Sequence, residues 1–244
     1  MTGSGKSTDK TPLFSVLHDS DTGIGRVMLR RRWSPALERH VFEMTVEGKL
    51  MMSDAFVDSE RALAERALAL LPGGSLRLLI GGLGFGFTAR AALADSRVSE
   101  VTVVERLEAV LDWHRSGLLP WSRELTSDPR VTLLQGDFFA RVKAGADSRY
   151  DAVLIDIDDA PNLLWHESHA AFYESTGLVA IRDHVAPGGV LGLWCAVRPG
   201  AEFLDTARAT FATAELVEVP FENPCLRQTD TNYVLLATTS GGES

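Results

Sequence analysis

From residue 76 onward the chain alternates short apolar runs with segments whose apolar residues recur at helical spacing. That is the pattern of strands buried on both faces and covered by helices. The runs are LRLLIGG (76–82), EVTVVE (100–105), RVTLLQG (130–136), YDAVLID (150–156), GGVLGLWC (188–195), AELVEVP (214–220) and NYVLLAT (232–238). Helices between them are expected to begin near Phe87, Leu107, Phe138, His169 and Ala201. The last two runs are joined by a link too short for a crossover helix, so they are expected to pair antiparallel at the sheet edge. The pattern predicts an α/β fold with a doubly wound, seven-stranded, mostly parallel, Rossmann-like sheet.

Before residue 58 the pattern differs. Short stretches (VMLRRR, HVFEMTVEG, KLMMSDAFV) alternate with turn residues such as Thr22-Gly23 and Glu47-Gly48, which predicts a small antiparallel β domain. SERALAERALALL (59–71) then reads as a helix that Ser59 can cap and Pro72-Gly73-Gly74 ends. The expected organisation is a flexible tail over 1–11, a β domain over 12–57 and the α/β domain over 58–240. GSGKST in the tail imitates a phosphate-binding loop, but it lacks the earlier glycine and the buried strand that such a loop requires.

Composition narrows the function classes. With 24 Lys+Arg against 33 Asp+Glu the formal charge is -9, which disfavours nucleic acid and anionic membranes as partners. The basic run Arg30-Arg31-Arg32 reads as the exposed end of a strand. Cys195 and Cys225 have no metal-ligand spacing, and no apolar run approaches the ~18 residues of a membrane span. The expectation is a cytoplasmic protein. His166 and His169 lack a third ligand of suitable spacing, so no metal is expected.

Candidate chemistry collects at the carboxyl ends of four strands. Gly81-Gly82-Leu83-Gly84-Phe85-Gly86 follows one strand and opens a helix, where backbone N–H groups point at a ligand. A glycine turn that only packs helix on strand reads the same way. The next strand ends in Glu105, at the spacing where nucleotide-binding folds place a ribose-holding acid. The third runs into Asp137, equally readable as a helix cap, and the fourth ends Asp156-Ile157-Asp158-Asp159. In open parallel sheets, ligands bind at such ends. The stretch 157–169 that follows reads as a lid or as an ordinary surface loop, and Trp194 as a pocket wall or a core residue.

These motifs resemble the class I S-adenosyl-L-methionine (AdoMet) transferase fold, and more narrowly its spermidine-synthase-like group. The resemblance runs over roughly residues 25–238 through EGKLMMS, DSERALAERAL, LLIGGLGFGFTARAAL, VTVVE, DPRVTLLQGD, YDAVLIDIDDAP and APGGVLGLW. It implies that Gly81, Gly82, Gly84 and Gly86 border the methionine part of an AdoMet-type cofactor, Glu105 holds its ribose and Asp137 faces its adenine. Asp156 and Asp159 match the catalytic D-x-x-D pair of polyamine synthases, with Asp158, Asp159, Trp165 and Trp194 as acceptor-side candidates. By the same resemblance the β domain caps the acceptor side and contributes to a homodimer.

The departures are as informative. Gly84 stands where polyamine synthases carry the Asp that contacts the amine of decarboxylated AdoMet. Met51 replaces a family Gln and Leu63-Ala64 a Tyr-His pair, whereas Glu60 and Glu65 still match. A diamine tunnel needs several groups to replace ammonium hydration, so this loss points away from polyamine synthesis. The expected activity is transfer of an alkyl group, methyl first, from AdoMet to a small amine acceptor. The alternatives are aminopropyl transfer from decarboxylated AdoMet, aminocarboxypropyl transfer, and a non-catalytic AdoMet- or methylthioadenosine-binding subunit. A carboxylate of ordinary pKa is a weak base for an ammonium, so Asp156 is expected to act mainly by positioning.

Overall fold

The computed structural model describes residues 12–242, and the tail expected over 1–11 lies outside the described residues. The chain divides into two compact units, one ending at Ala55 and the other beginning at Phe56.

The first unit is an antiparallel sheet of β1 (Phe14–Thr22), β2 (Gly25–Ser34), β3 (Arg39–Val46) and β4 (Lys49–Ser53), in that order. The turn between β3 and β4 is Glu47-Gly48, with φ of 49° and 75°, the double positive-φ turn that follows strand twist and favours glycine. The arginine run lies inside β2 rather than at an exposed end. Arg30 and Arg32 share a face by strand alternation, and their Nε atoms donate at 2.8 and 2.7 Å to the two oxygens of buried Glu43 on β3. Two of the three cations therefore neutralise an acid of the neighbouring strand.

The second unit begins with α1 (Asp58–Ala69). Ser59 does not cap it. The helix begins at Asp58 with Val57 at its cap, and the Ser59 hydroxyl is engaged elsewhere, accepting from Trp194 Nε1 at 2.9 Å. There follow β5 (Leu76–Gly81), α2 (Phe87–Leu93), β6 (Val98–Glu105), α3 (Glu108–Arg115), α4 (Ser122–Thr126), β7 (Val131–Gln135), α5 (Phe138–Lys143) and β8 (Tyr150–Ile155). A 3-10 turn over Glu167–Tyr173 leads into α6 (Ser175–Arg182), then β9 (Val185–Cys195), α7 (Ala201–Thr210), β10 (Thr213–Asn223) and β11 (Gln228–Thr238). The helix expected at His169 is thus a tight turn first and an α-helix only from Ser175. The five-residue α4 has no counterpart in the sequence pattern.

The seven strands run in the order β10-β11-β9-β8-β5-β6-β7. Pairs among β9, β8, β5, β6 and β7 are parallel, while β11 is antiparallel to both β9 and β10. Leu78, Leu79 and Ile80 of β5 and Ala152 to Leu154 of β8 are fully buried, which is why these strands read as unbroken apolar runs. Truncating one such leucine to alanine costs about 2–5 kcal/mol. After β5 the chain builds β6 and β7 on one side, then crosses to β8 on the other. A doubly wound sheet opens a crevice at that reversal, at the carboxyl ends of β5 and β8.

Candidate active site

Gly82 is where β5 and β8 meet. Its φ is +90°, and a Cβ there would lie 2.1 Å from the Asp156 carbonyl oxygen, so only glycine allows the two strand ends to close together. Asp156 N donates to Gly81 O at 2.9 Å, joining the same two ends. Gly86, the left-handed residue before α2, packs against Leu125 and His114. At Gly81 a side chain would strike the Phe138 ring at 2.7 Å, so the packing of α5 requires glycine there. Close packing within the protein thus explains why glycine stands at these three positions.

Glu105 ends β6 only 8% exposed. Its Oε2 accepts from Leu83 N at 2.9 Å and Gly84 N at 3.4 Å, and its Oε1 from Leu107 N at 2.8 Å. Burial raises its pKa above the ordinary carboxylate range, against the lowering effect of these backbone donors. Its first task is therefore to hold the glycine loop. With the Arg106 amide also acting on it, backbone donors engage about as many positions as a carboxylate has to offer. Asp137 caps α5, accepting from Ala140 N at 3.0 Å, and lies 3.6 Å from Arg106. The helix-cap reading holds for it, with the side chain still 38% exposed.

The three acids after β8 part company. Asp156 is half-buried; its Oδ2 accepts from the Thr88 hydroxyl at 2.8 Å, and its Oδ1 has no hydrogen-bond partner among the described residues. Burial pushes its pKa up to about 6, the Thr88 bond opposing and the Glu105 charge assisting. Asp158, 1% exposed, turns inward instead. It accepts from Trp165 N at 2.8 Å, from His169 Nδ1 at 2.9 Å and from the Tyr173 hydroxyl at 2.9 Å. This corrects the expectation that Asp158 meets the acceptor: its oxygens are spent pinning the segment from Ile157 to His169, which is fastened from below and is not a free lid. The Asp159 carbonyl accepts from Ala196 N at 2.7 Å, so its backbone is tied just past Trp194. Trp165 is half-buried, with its amide on Asp158.

Glu60, in the first turn of α1, is the site residue that sequence reasoning passed over; its match to the related family was the available signal. The Ser59 hydroxyl lies 2.8 Å from Glu60 Oε2 and 3.1 Å from Asn232 Oδ1, and it accepts from Trp194 Nε1. Trp194 thus acts through its indole N–H, steadying the turn that carries Glu60. Burial, reinforced by the charge of Asp156, pushes Glu60 up to about 7. The charge of Asp156 thus reaches Glu60, and the two carboxylates resist joint ionisation.

A doubly wound sheet of this strand order, with a glycine loop and strand-end acids, is that of the methyltransferase fold. No family model matches the chain. Over 159 residues it is 30% identical to putrescine N-methyltransferase 3 of Nicotiana tabacum, covering 62% of this chain and 40% of that enzyme. It is 28% identical over 158 residues to a polyamine aminopropyltransferase of Aeropyrum pernix, covering 62% of this chain and 49% of that one. The fold matches spermidine synthase from Thermotoga maritima with a TM-score of 0.72 at 18% identity, over 93% of this chain and 74% of that chain. The chain is spermidine-synthase-like, within the methyltransferase fold. It spans about two fifths to half the length of the curated relatives named here. Among the described residues no helix is long and apolar enough to cross a membrane.

Proposed function

We propose that this chain binds AdoMet at the carboxyl ends of β5, β6 and β8 and methylates a small cationic amine of the diamine class. The observation that carries the reading is Gly84. Where polyamine synthases place a carboxylate for the amine of decarboxylated AdoMet, this loop offers only backbone, which suits a cofactor that still bears its own carboxylate. The likeness to putrescine N-methyltransferases supports the same acceptor class. The residues present fit an AdoMet-type group: the loop carries no side chain at Gly84, and the Asp156 oxygen that Thr88 leaves open is free for an acceptor beside it.

When bound, AdoMet supplies a methyl group on a sulfonium already activated for in-line attack. Asp156 and Glu60 act on the acceptor. An ammonium drawn between the two carboxylates gives one proton to the pair and becomes the neutral amine, whose lone pair is then free to attack. With pKa values near 6 and 7, the pair is a better base than an ordinary carboxylate. Asp156 would then take a proton as well as supply the positioning expected of it from the sequence. Thr88 orients Asp156, and Ser59 with Trp194 orients Glu60.

Two measurements test this reading. Calorimetry should show AdoMet binding at least about tenfold tighter than decarboxylated AdoMet, with N-methylated diamine appearing on incubation with putrescine. A preference for decarboxylated AdoMet would instead make aminopropyl transfer the activity, as in the polyamine aminopropyltransferases. The second is a pH profile. The charged form of the pair is the active one, so kcat/KM should rise with pH through about 6 to 7. Glu60→Gln removes the neighbouring negative charge, so the acid limb should move to lower pH while the plateau rate falls by roughly tenfold or more. An unmoved limb would refute the pairing.

A further inference from the structure

The glycine loop is gripped by a side chain to which the transfer chemistry assigns no role. His114, in α3, is 1% exposed, and its Nε2 lies 2.9 Å from the carbonyl oxygen of Gly84. A carbonyl only accepts, so Nε2 carries the proton. Nδ1 is buried without a partner among the described residues, and burial holds the imidazole pKa down, which favours the neutral ring. One residue on, Trp121 Nε1 donates to Phe85 O at 2.6 Å. From the opposite side Glu105 takes the amides of Leu83 and Gly84. Three side chains from three elements thus hold consecutive peptide units of one short loop.

The Gly84–Phe85 peptide is the unit that most needs holding. Gly84 has φ of +48° and no side chain, so its peptide plane can turn over at small cost. Turning it over would exchange the carbonyl and the amide that the loop presents. In a trans peptide these groups point in opposite directions. With the Gly84 carbonyl fixed on His114, the Phe85 N–H is directed away from the histidine, and it has no hydrogen-bond partner among the described residues.

We propose that His114 is a positioning residue that sets the cofactor specificity of the loop. By holding the Gly84 carbonyl it keeps the Phe85 N–H turned away from the histidine, as a donor for the carboxylate of AdoMet at the position where polyamine synthases offer a carboxylate of their own. This rests on the AdoMet reading above. The histidine also packs beside Gly86, where a Cβ would sit 2.4 Å from Leu125 Cδ1 and 3.1 Å from His114 Cε1.

The test compares affinities for AdoMet and decarboxylated AdoMet in wild type, His114→Phe and His114→Gln, with thermal melts alongside. Gln places an amide N–H near the position of Nε2, whereas Phe fills the ring volume without a donor. His114→Phe should lose about tenfold or more in AdoMet affinity and little for decarboxylated AdoMet, because only the former loses a hydrogen bond to a charged group. His114→Gln should stay within about threefold of wild type for both. If His114→Phe melts too low to assay, His114→Met, a flexible apolar filler, takes its place. A folded variant without the donor that keeps wild-type selectivity overturns the role of His114 and leaves the AdoMet reading standing. Parallel loss for both cofactors, with a lowered melt, also overturns it in favour of plain structural support. If wild type binds neither cofactor, the AdoMet reading itself fails.

Discussion

Asp156→Asn is expected to lower methyl transfer by about 10²–10⁴-fold while leaving AdoMet affinity within a few fold. The substitution keeps the shape of the side chain and an oxygen for the Thr88 hydroxyl, whose bond to Asp156 is 2.8 Å. What it removes is the capacity to take a proton from the acceptor, the step without which an ammonium has no lone pair for attack. The fold should not suffer. Asp156 is an acid whose pKa in the folded protein, about 6, is raised by burial above the ordinary aspartate value. The folded state therefore binds the proton more tightly than the unfolded chain does. The contribution of Asp156 to stability is fully present below the unfolded value and is lost as pH rises through about 6. Asn carries no such titration, so the variant should be at least as stable as wild type at neutral pH and its stability less dependent on pH between these values. Single-turnover kinetics, calorimetry and melts across that range check the three parts. Turnover within a few fold of wild type would remove Asp156 from the chemistry.

The largest loss of stability is expected at Asp158, two residues away and chemically identical. Asp158→Ala should cost about 3–5 kcal/mol, the toll of breaking a buried charged cluster and stranding its donors. The amide of Trp165, the ring of His169 and the hydroxyl of Tyr173 would all lose their acceptor. For a chain of this size that is a fall in Tm of roughly 6–20 °C. Asp158→Asn, which keeps one oxygen, should fall less. Proteolysis should then cut first within 157–173, because Asp158 is the anchor beneath that stretch. A Tm within about 2 °C of wild type for Asp158→Ala would mean the segment is held by its apolar contacts instead.

The contrast between these two aspartates marks how far the sequence could be read. The strands were legible because burial on both faces leaves unbroken apolar runs, as in Leu78 to Ile80 and Ala152 to Ile155. Glu105 and the glycine loop were legible because turn chemistry and strand ends are local. Asp156, Asp158 and Asp159 looked like one acidic cluster. Once β8 ends, strand alternation no longer says which way a side chain points. The partner of Asp156 is Thr88, 68 residues earlier, and Glu60 on α1 enters the site only because that helix is held against the end of β9 through Ser59 and Trp194. Ser59 misled for the same reason: its local preference for capping gave way to a partner 135 residues away. Arg30 and Arg32 looked solvated because Glu43 belongs to the next strand.

By itself, then, the order of residues determined the α/β architecture, the β unit before it and the location of the crevice, since each follows from hydrophobic periodicity and turn residues acting over a few positions. Only the tertiary structure decided which acids face that crevice and which hold the scaffold, and that His114 reaches the Gly84 carbonyl across 30 residues. Those outcomes depend on hydrogen bonds and charges between segments far apart in the chain, whose geometry exists only once the sheet has closed.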